Sequence, residues 1–295
     1  MTDTSPPSTT PGSASDAPTW DPQQYARFSD HRGRPYHDLL QRVGAEQPAV
    51  VVDLGCGNGP LTLGLARRWP QARIVGVDSS AEMLRRAREL DVAGRVEWMR
   101  ADVADWDPAS LGAAPDVVVT NALLQWVPTH LRLLPHWFRA LAPGGWFALQ
   151  VPGNFDAPSH AILRELVLTH PRAAELTPGI RDGSAVGEPS TYASLMAAEG
   201  LVPDAWETTY LHLLDPSGEQ SDPVLEWVKG TALRPFLDVL TGEDERSDFL
   251  ATYADRLRVA YPRQRYGTPF PFRRVFAVGH QPANATVPPQ QGEGA

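Results

Sequence analysis

The sequence predicts an α/β fold built on a doubly wound, mostly parallel sheet, and three observations predict it. Apolar runs of strand length recur at 50–54, 73–78, 95–99, 116–121 and 146–151, separated by polar or helix-periodic chain. The first run is apolar and largely β-branched except for Asp53, as expected of a strand buried on both faces. It passes directly into three glycines at alternate positions, Gly55, Gly57 and Gly59. With right-handed crossovers, the order βαβαβαβαβ winds a parallel sheet with helices on both faces.

Taken in order, residues 1–19 are rich in Ser, Thr, Pro and Asp and read as a disordered tail. Ordered chain is expected from Trp20, where Pro22 suits a helix start and Tyr25 and Phe28 share one face. Residues 29–35 read as a polar turn carrying His31, Arg32 and Arg34, followed by a short amphipathic helix with Leu39, Leu40 and Val43. The glycines of the next turn permit positive φ and remove Cβ atoms, so a ligand can lie directly on the backbone. A helix beginning near Pro60 points its N-terminus at that place. A dinucleotide fingerprint is excluded by spacing, because Pro60 stands where its third glycine belongs.

The second run ends in Asp78, placed to accept both ribose hydroxyls of a nucleoside lying across the switch point of strand order. Asp78 also shares a helix N-cap role with Ser79 and Ser80, ahead of the periodic Met83, Leu84, Ala87 and Leu90. The strand at 95–99 leads into the loop Ala101-Asp102-Val103. Strand carboxyl ends face the crevice in such sheets, so Asn121, Gln125 and Trp126, after the fourth strand, are expected to border the ligand. A helix over 129–142 stops at Pro143-Gly144-Gly145 before the fifth strand. Beyond Pro152 the rhythm changes to helices at 159–168 and 191–199, a strand at 206–214, helical chain over 222–261 and a strand at 272–278. A second disordered tail is expected over 282–295.

Composition narrows the class. The chain has 295 residues, 42% of them hydrophobic and 21% charged, as in ordinary globular proteins. A net charge of −9 opposes binding to nucleic acid or to an anionic membrane. No apolar run approaches membrane-spanning length, and neither a signal peptide nor a metal-ligand cluster is evident. The single cysteine, Cys56, excludes an internal disulfide and fits a reducing compartment. Lying among the glycines, it reads as a small residue beside the ligand rather than a nucleophile.

The stretch Asp53-Leu-Gly-Cys-Gly-Asn-Gly59 resembles the first motif of the class I S-adenosylmethionine-dependent methyltransferases. That resemblance implies S-adenosylmethionine as cofactor, held by Asp53, Gly55, Cys56, Gly57 and Gly59 at its methionine end and by Asp78 and Ser79 at its ribose. It also implies adenine contacts from Asp102 and Val103. The fold it implies is a seven-stranded sheet finished by an antiparallel pair, 206–214 and 272–278, with the helical insertions as a cap. The domain then spans 20–281, with a cofactor-binding half at 20–152.

The acceptor is suggested by arginines. Arg32, Arg34, Arg234, Arg273 and Arg274 lie on expected turns or element ends, and converging guanidiniums bind carboxylates in bidentate fashion. A polycarboxylate acceptor would need such a local positive cluster in an acidic protein. The chain from Trp20 to about Gln281 is similar to the trans-aconitate 2-methyltransferase family. The similarity lies in Trp20-Asp-Pro-x-x-Tyr25, His31-Arg-x-Arg-Pro35, Asn121-Ala-x-x-Gln-Trp126, Gln150-Val-Pro-x-Asn154, Trp206-x-Thr-Thr-Tyr210 and Leu233-Arg-Pro235. It implies a cytoplasmic carboxyl O-methyltransferase, and a monomer is expected. A carboxylate with a pKa of about 4 is already ionised at neutral pH, so no residue is assigned as general base. Trp20, Tyr25, Trp126 and Tyr210 are candidate pocket walls, and His31 is a candidate donor to the acceptor. A phenol or amine acceptor, which would require a base, and a cofactor-binding module without turnover are the alternatives.

Overall fold

A computed structural model describes residues 29–283. Trp20, Tyr25, the tail at 1–19, most of the tail at 282–295, and the side chains of His31 and Arg32 lie outside the described residues. Among those described, seven strands form one sheet in the order β3-β2-β1-β4-β5-β7-β6. The strands are β1 (Val50–Leu54), β2 (Arg73–Asp78), β3 (Val96–Arg100), β4 (Val117–Asn121), β5 (Trp146–Pro152), β6 (Val202–Leu214) and β7 (Thr268–His280). β1 to β5 pair in parallel, and β7 runs antiparallel between β5 and β6. The expected doubly wound sheet with its antiparallel finish is therefore present.

Every residue of β1 is buried, which is why its sequence carries no polar alternation. On one face, Val52, Leu54, Val118 and Leu149 pack with Trp137 and Phe138 of helix α4 (His130–Arg139) and with Tyr192 and Met196 of α6 (Pro189–Ala198). On the other, Val51, Val119, Ala148 and Phe276 pack with Tyr36 and Leu39 of α1 (Ser29–Leu40) and Leu65 of α2 (Pro60–Arg68). The α3 helix (Ala81–Leu90) starts at Ser80, whose hydroxyl accepts from the Met83 N–H.

One local expectation fails. Residues 29–35 are not a turn but the first part of α1, which continues through Pro35. Tyr36, Leu39 and Leu40 bury against the sheet, and that packing outweighs the hydrogen bond a proline forfeits.

The insertions form a third apolar cluster. α5 (Pro158–Leu168) follows β5. The helices α7 (Pro223–Lys229), α8 (Arg234–Val239) and α9 (Glu243–Ala260) lie between β6 and β7. Leu163 and Val167 meet Trp227, Phe236, Phe249 and Tyr253 there, with Phe270 and Phe272 of β7 joining the cap to the sheet.

Candidate functional site

The turn after β1 folds back on the end of β2, where the Gly55 and Cys56 N–H groups donate to the Val77 carbonyl at 2.8 and 3.0 Å. All three glycines have positive φ, yet their surroundings differ. A Cβ at Gly55 would meet the Leu123 side chain at 2.9 Å, and one at Gly59 would meet Trp98 at 2.7 Å and Ala87 at 2.9 Å. A Cβ at Gly57 meets nothing within 4 Å. Gly55 and Gly59 thus let the turn pack, whereas Gly57 keeps backbone open to a ligand.

Asp78 ties this turn to α3. Its Oδ2 accepts from the Gly57 N–H at 2.9 Å, and its Oδ1 accepts from the Ser80 N–H at 2.8 Å. A carboxylate has about four acceptor positions, so capacity for a vicinal diol remains. Burial raises the Asp78 carboxyl, opposed by the N–H donors of Ser80 and Gly57. Ser79 is exposed beside it. Asp53 lies beneath the turn, 3% exposed, accepting from the Thr62 hydroxyl at 2.6 Å. Burial raises its carboxyl to about 7, with the Thr62 hydrogen bond opposing and the Asp78 charge adding to the rise. Cys56 is buried, and its thiol is pushed well up by burial, so it stays protonated. Asp102 is exposed, with its carboxylate turned onto the Ala104 N–H at 2.9 Å, while Val103 is buried in the core.

Beyond β4 the chain turns sharply at Ala122, whose φ of 54° is uncommon for a residue with a Cβ. This turn sets Asn121, Gln125 and Trp126 on one wall of a crevice of about 820 Å³. Asn121 Oδ1 and Gln125 Oε1 are buried without a hydrogen-bond partner among the described residues. The other walls include Asn154 and Phe155 from the loop between β5 and α5, His160 from α5, Arg181 from the following segment, Trp227 and Thr231 from the cap, and Phe272 and Arg274 from β7.

The expected arginines sort unevenly. Arg273 faces away from the crevice and bridges Glu188 and Glu207. Arg274, one step along an alternating strand, faces in. Arg34 lies over the Tyr210 ring at 5.1 Å, and the Tyr210 hydroxyl donates to Asp38 at 2.7 Å. Both belong to the α1 face of the sheet and do not line the crevice, nor does Arg234. None of the four lines this crevice: Arg273 is turned away by strand phase, Arg34 and Tyr210 pack on the α1 face, and Arg234 stands at the first turn of α8.

Arg181 and His160 went unnoticed in the sequence. Arg181 sits in a polar, turn-rich stretch with no pattern to distinguish it, and His160 reads as one polar residue of a helix. The Arg181 guanidinium stacks on Trp126, 3.5 Å from the ring centroid, and burial lowers it to about 10, leaving it charged at neutral pH. Burial, then Arg164 and Arg181, lower His160 to about 4, so it stands neutral. Among the described residues, none that lines the crevice is acidic.

A protein-family model described as a methyltransferase domain matches residues 51–145. A trans-aconitate 2-methyltransferase of Streptomyces avermitilis is 50% identical over 272 residues, covering 90% of this chain and 98% of the relative. The chain belongs to the trans-aconitate 2-methyltransferase family. Members of that family from Rhodococcus jostii and Azoarcus are 50% and 47% identical, each over 88% of this chain and 98% of the relative. Among solved structures, the YcgJ protein of Bacillus subtilis matches with a TM-score of 0.51 at 17% identity, over 84% of this chain and 99% of that one. A Haloferax volcanii chain solved in complex with the Trm112 methyltransferase activator matches with the same score and identity, over 90% and 95%. These two likenesses show the class I methyltransferase fold.

S-adenosylmethionine is the cofactor of this family, and the residues present fit it. The space over Gly57 is open, Asp78 retains acceptor capacity, and Asn121 Oδ1 offers a buried acceptor beside the turn. Among the described residues there is no helix long and apolar enough to cross a membrane, and no group of His, Cys, Asp and Glu that could hold a metal ion.

Proposed function

We propose that this protein transfers a methyl group from S-adenosylmethionine to one carboxylate of trans-aconitate or a closely related polycarboxylate, forming a monomethyl ester. The observation that carries the reading is a crevice with Arg181 and Arg274 on its walls and no acidic residue among the described residues that line it, in a chain of net charge −9. When bound, the cofactor supplies an electrophilic methyl carbon on a sulfonium. Asp78 holds the ribose, the backbone at Gly57 accommodates the methionine end, and Asp53, Gly55, Cys56 and Gly59 shape the turn beneath. Ser79, Asp102 and Val103 flank the nucleoside.

The acceptor carboxylate is already an anion, with a pKa of about 4, so no base is required. His160, neutral from mildly acidic pH upward, acts as a hydrogen-bonding wall. Held at Asp78 and Gly57, the cofactor would supply its methyl group to the acceptor carboxylate oxygen, and the opposite charges of the two would cancel on transfer. Trp126, Phe155, Trp227 and Phe272 exclude water, which favours a transition state less charged than the reactants. We also take residues 20–281 to be one methyltransferase unit acting as a cytoplasmic monomer. Light scattering on the purified chain checks the monomer.

The decisive experiment offers cofactor with a labelled methyl group to the purified protein together with a panel of mono-, di- and tricarboxylic acids. Label should appear in a base-labile ester of a di- or tricarboxylic acid. Label found only in phenols or amines, or nowhere, would sink the reading.

A further inference from the structure

Arg181 is a crevice residue whose charge has no counterpart among the described residues. It makes no hydrogen bond or ion pair among the described residues, and its guanidinium lies over the Trp126 ring at 3.5 Å. A half-buried guanidinium held this way is desolvated on its flat face, while its N–H edge is left to an anion. It also stands at a junction. Arg181, His160, Phe155 and Ala232 line both the main crevice and a smaller adjoining cavity of about 340 Å³. The other arginine of that smaller cavity, Arg164, is already engaged, donating to the Phe155 carbonyl at 2.5 Å and pairing with Asp156 at 3.6 Å. Arg274 enters from β7, a different element, so the two crevice cations approach the acceptor from separate walls.

We propose that Arg181 is the specificity-determining residue of the acceptor site: it binds a carboxylate that is not methylated and thereby sets which carboxylate of a multiply charged acid reaches the reacting position. This rests on the polycarboxylate reading above. One cation alone would leave a tricarboxylate free to present either of two remaining arms. A second cation fixed on another wall selects one arm, because the spacing of the two guanidiniums must match that of the two carboxylates not esterified. The stack on Trp126 matters here, since it fixes the plane of the fork that a bidentate contact requires.

The test compares wild type with R181Q and R181K on trans-aconitate, reading the ratio of monomethyl ester isomers and the binding of the acid by calorimetry. For R181Q the expectation is a loss in kcat/KM on the tricarboxylate of about 30-fold. The isomer ratio should move toward a mixture, while cofactor affinity stays within about twofold. R181K keeps the charge but loses the planar fork, so it should recover binding more fully than isomer selectivity. If R181Q does not fold, R181K decides the matter on the isomer ratio. An unchanged ratio in an enzyme that still makes the ester overturns the role of Arg181 and leaves the polycarboxylate reading standing. A wild-type protein that esterifies no acid overturns that reading, and this inference with it.

Discussion

Asp53 sits under the glycine turn as a carboxyl that burial raises to about 7, far above the ordinary value of about 3.9. A group whose folded pKa is raised binds more protons in the folded than in the unfolded chain. The stability it contributes is therefore full below about pH 4 and lost as pH rises towards 7. Asp53→Asn keeps an acceptor for the Thr62 hydroxyl and removes the buried charge. We expect this variant to melt higher than wild type at pH 8 and to lose most of that advantage at pH 5, as thermal unfolding at the two pH values would register. A melting difference independent of pH would show that the carboxyl does not titrate in this window. Asp78 is different, because its two oxygens already brace the turn and the start of α3. Asp78→Ala should weaken cofactor binding by tenfold or more in calorimetry, and unchanged binding would remove it from the ribose.

At the scale of an element, the turn from β1 to α2 separates two uses of glycine that the sequence alone presents as one. Gly57→Ala faces open space at a φ of 56°, which an alanine adopts at about 1–2 kcal/mol, so the protein should fold with a modest drop in melting temperature. Its cofactor affinity should fall by tenfold or more, since the new methyl would occupy the open space proposed for the ligand. Gly59→Ala has the opposite profile. The Cβ meets Trp98 and Ala87 below 3.0 Å at a φ of 91°, and stability should drop by about 2–4 kcal/mol, visible in urea unfolding. Equal stability loss in the two variants would erase the distinction. The order of strands was legible because buried parallel strands announce themselves as apolar runs. The edges were not: β6 begins at Val202, four residues before the expected 206, because residues 202–206 are held by pairing with β7 and leave no apolar pattern. Phase failed for the same kind of reason at Arg273 and Arg274, where two adjacent arginines look alike until the register Pro152↔Arg274 orients the strand. Arg181 was out of reach, since only tertiary folding carries that segment onto Trp126.

On the scale of the whole molecule, the cofactor turn belongs to the sheet while the acceptor walls are shared with a cap inserted around β6, and the two should be separable by mutation. The cap is tied down at the start of α5, where the Tyr261 hydroxyl accepts from the Ser159 N–H at 3.0 Å and the Tyr253 hydroxyl donates to the Ser159 carbonyl at 2.8 Å. Ser159 is fully buried and precedes His160, so these two tyrosines fix where α5 presents its crevice face. Tyr261→Phe strands a buried helix-terminal N–H and should cost about 1–3 kcal/mol. Tyr253→Phe removes one of several options for a carbonyl and should cost about 1 kcal/mol. Because neither tyrosine is near the glycine turn in the fold's connectivity, both variants should raise KM for the acid while cofactor affinity holds, with Tyr261→Phe the larger effect. Amide exchange along α5 should rise in the same order. If acid and cofactor affinities fall together in Tyr261→Phe, the cap and the sheet act as one cooperative unit, and the crevice cannot be treated as a site assembled from two independently tunable halves.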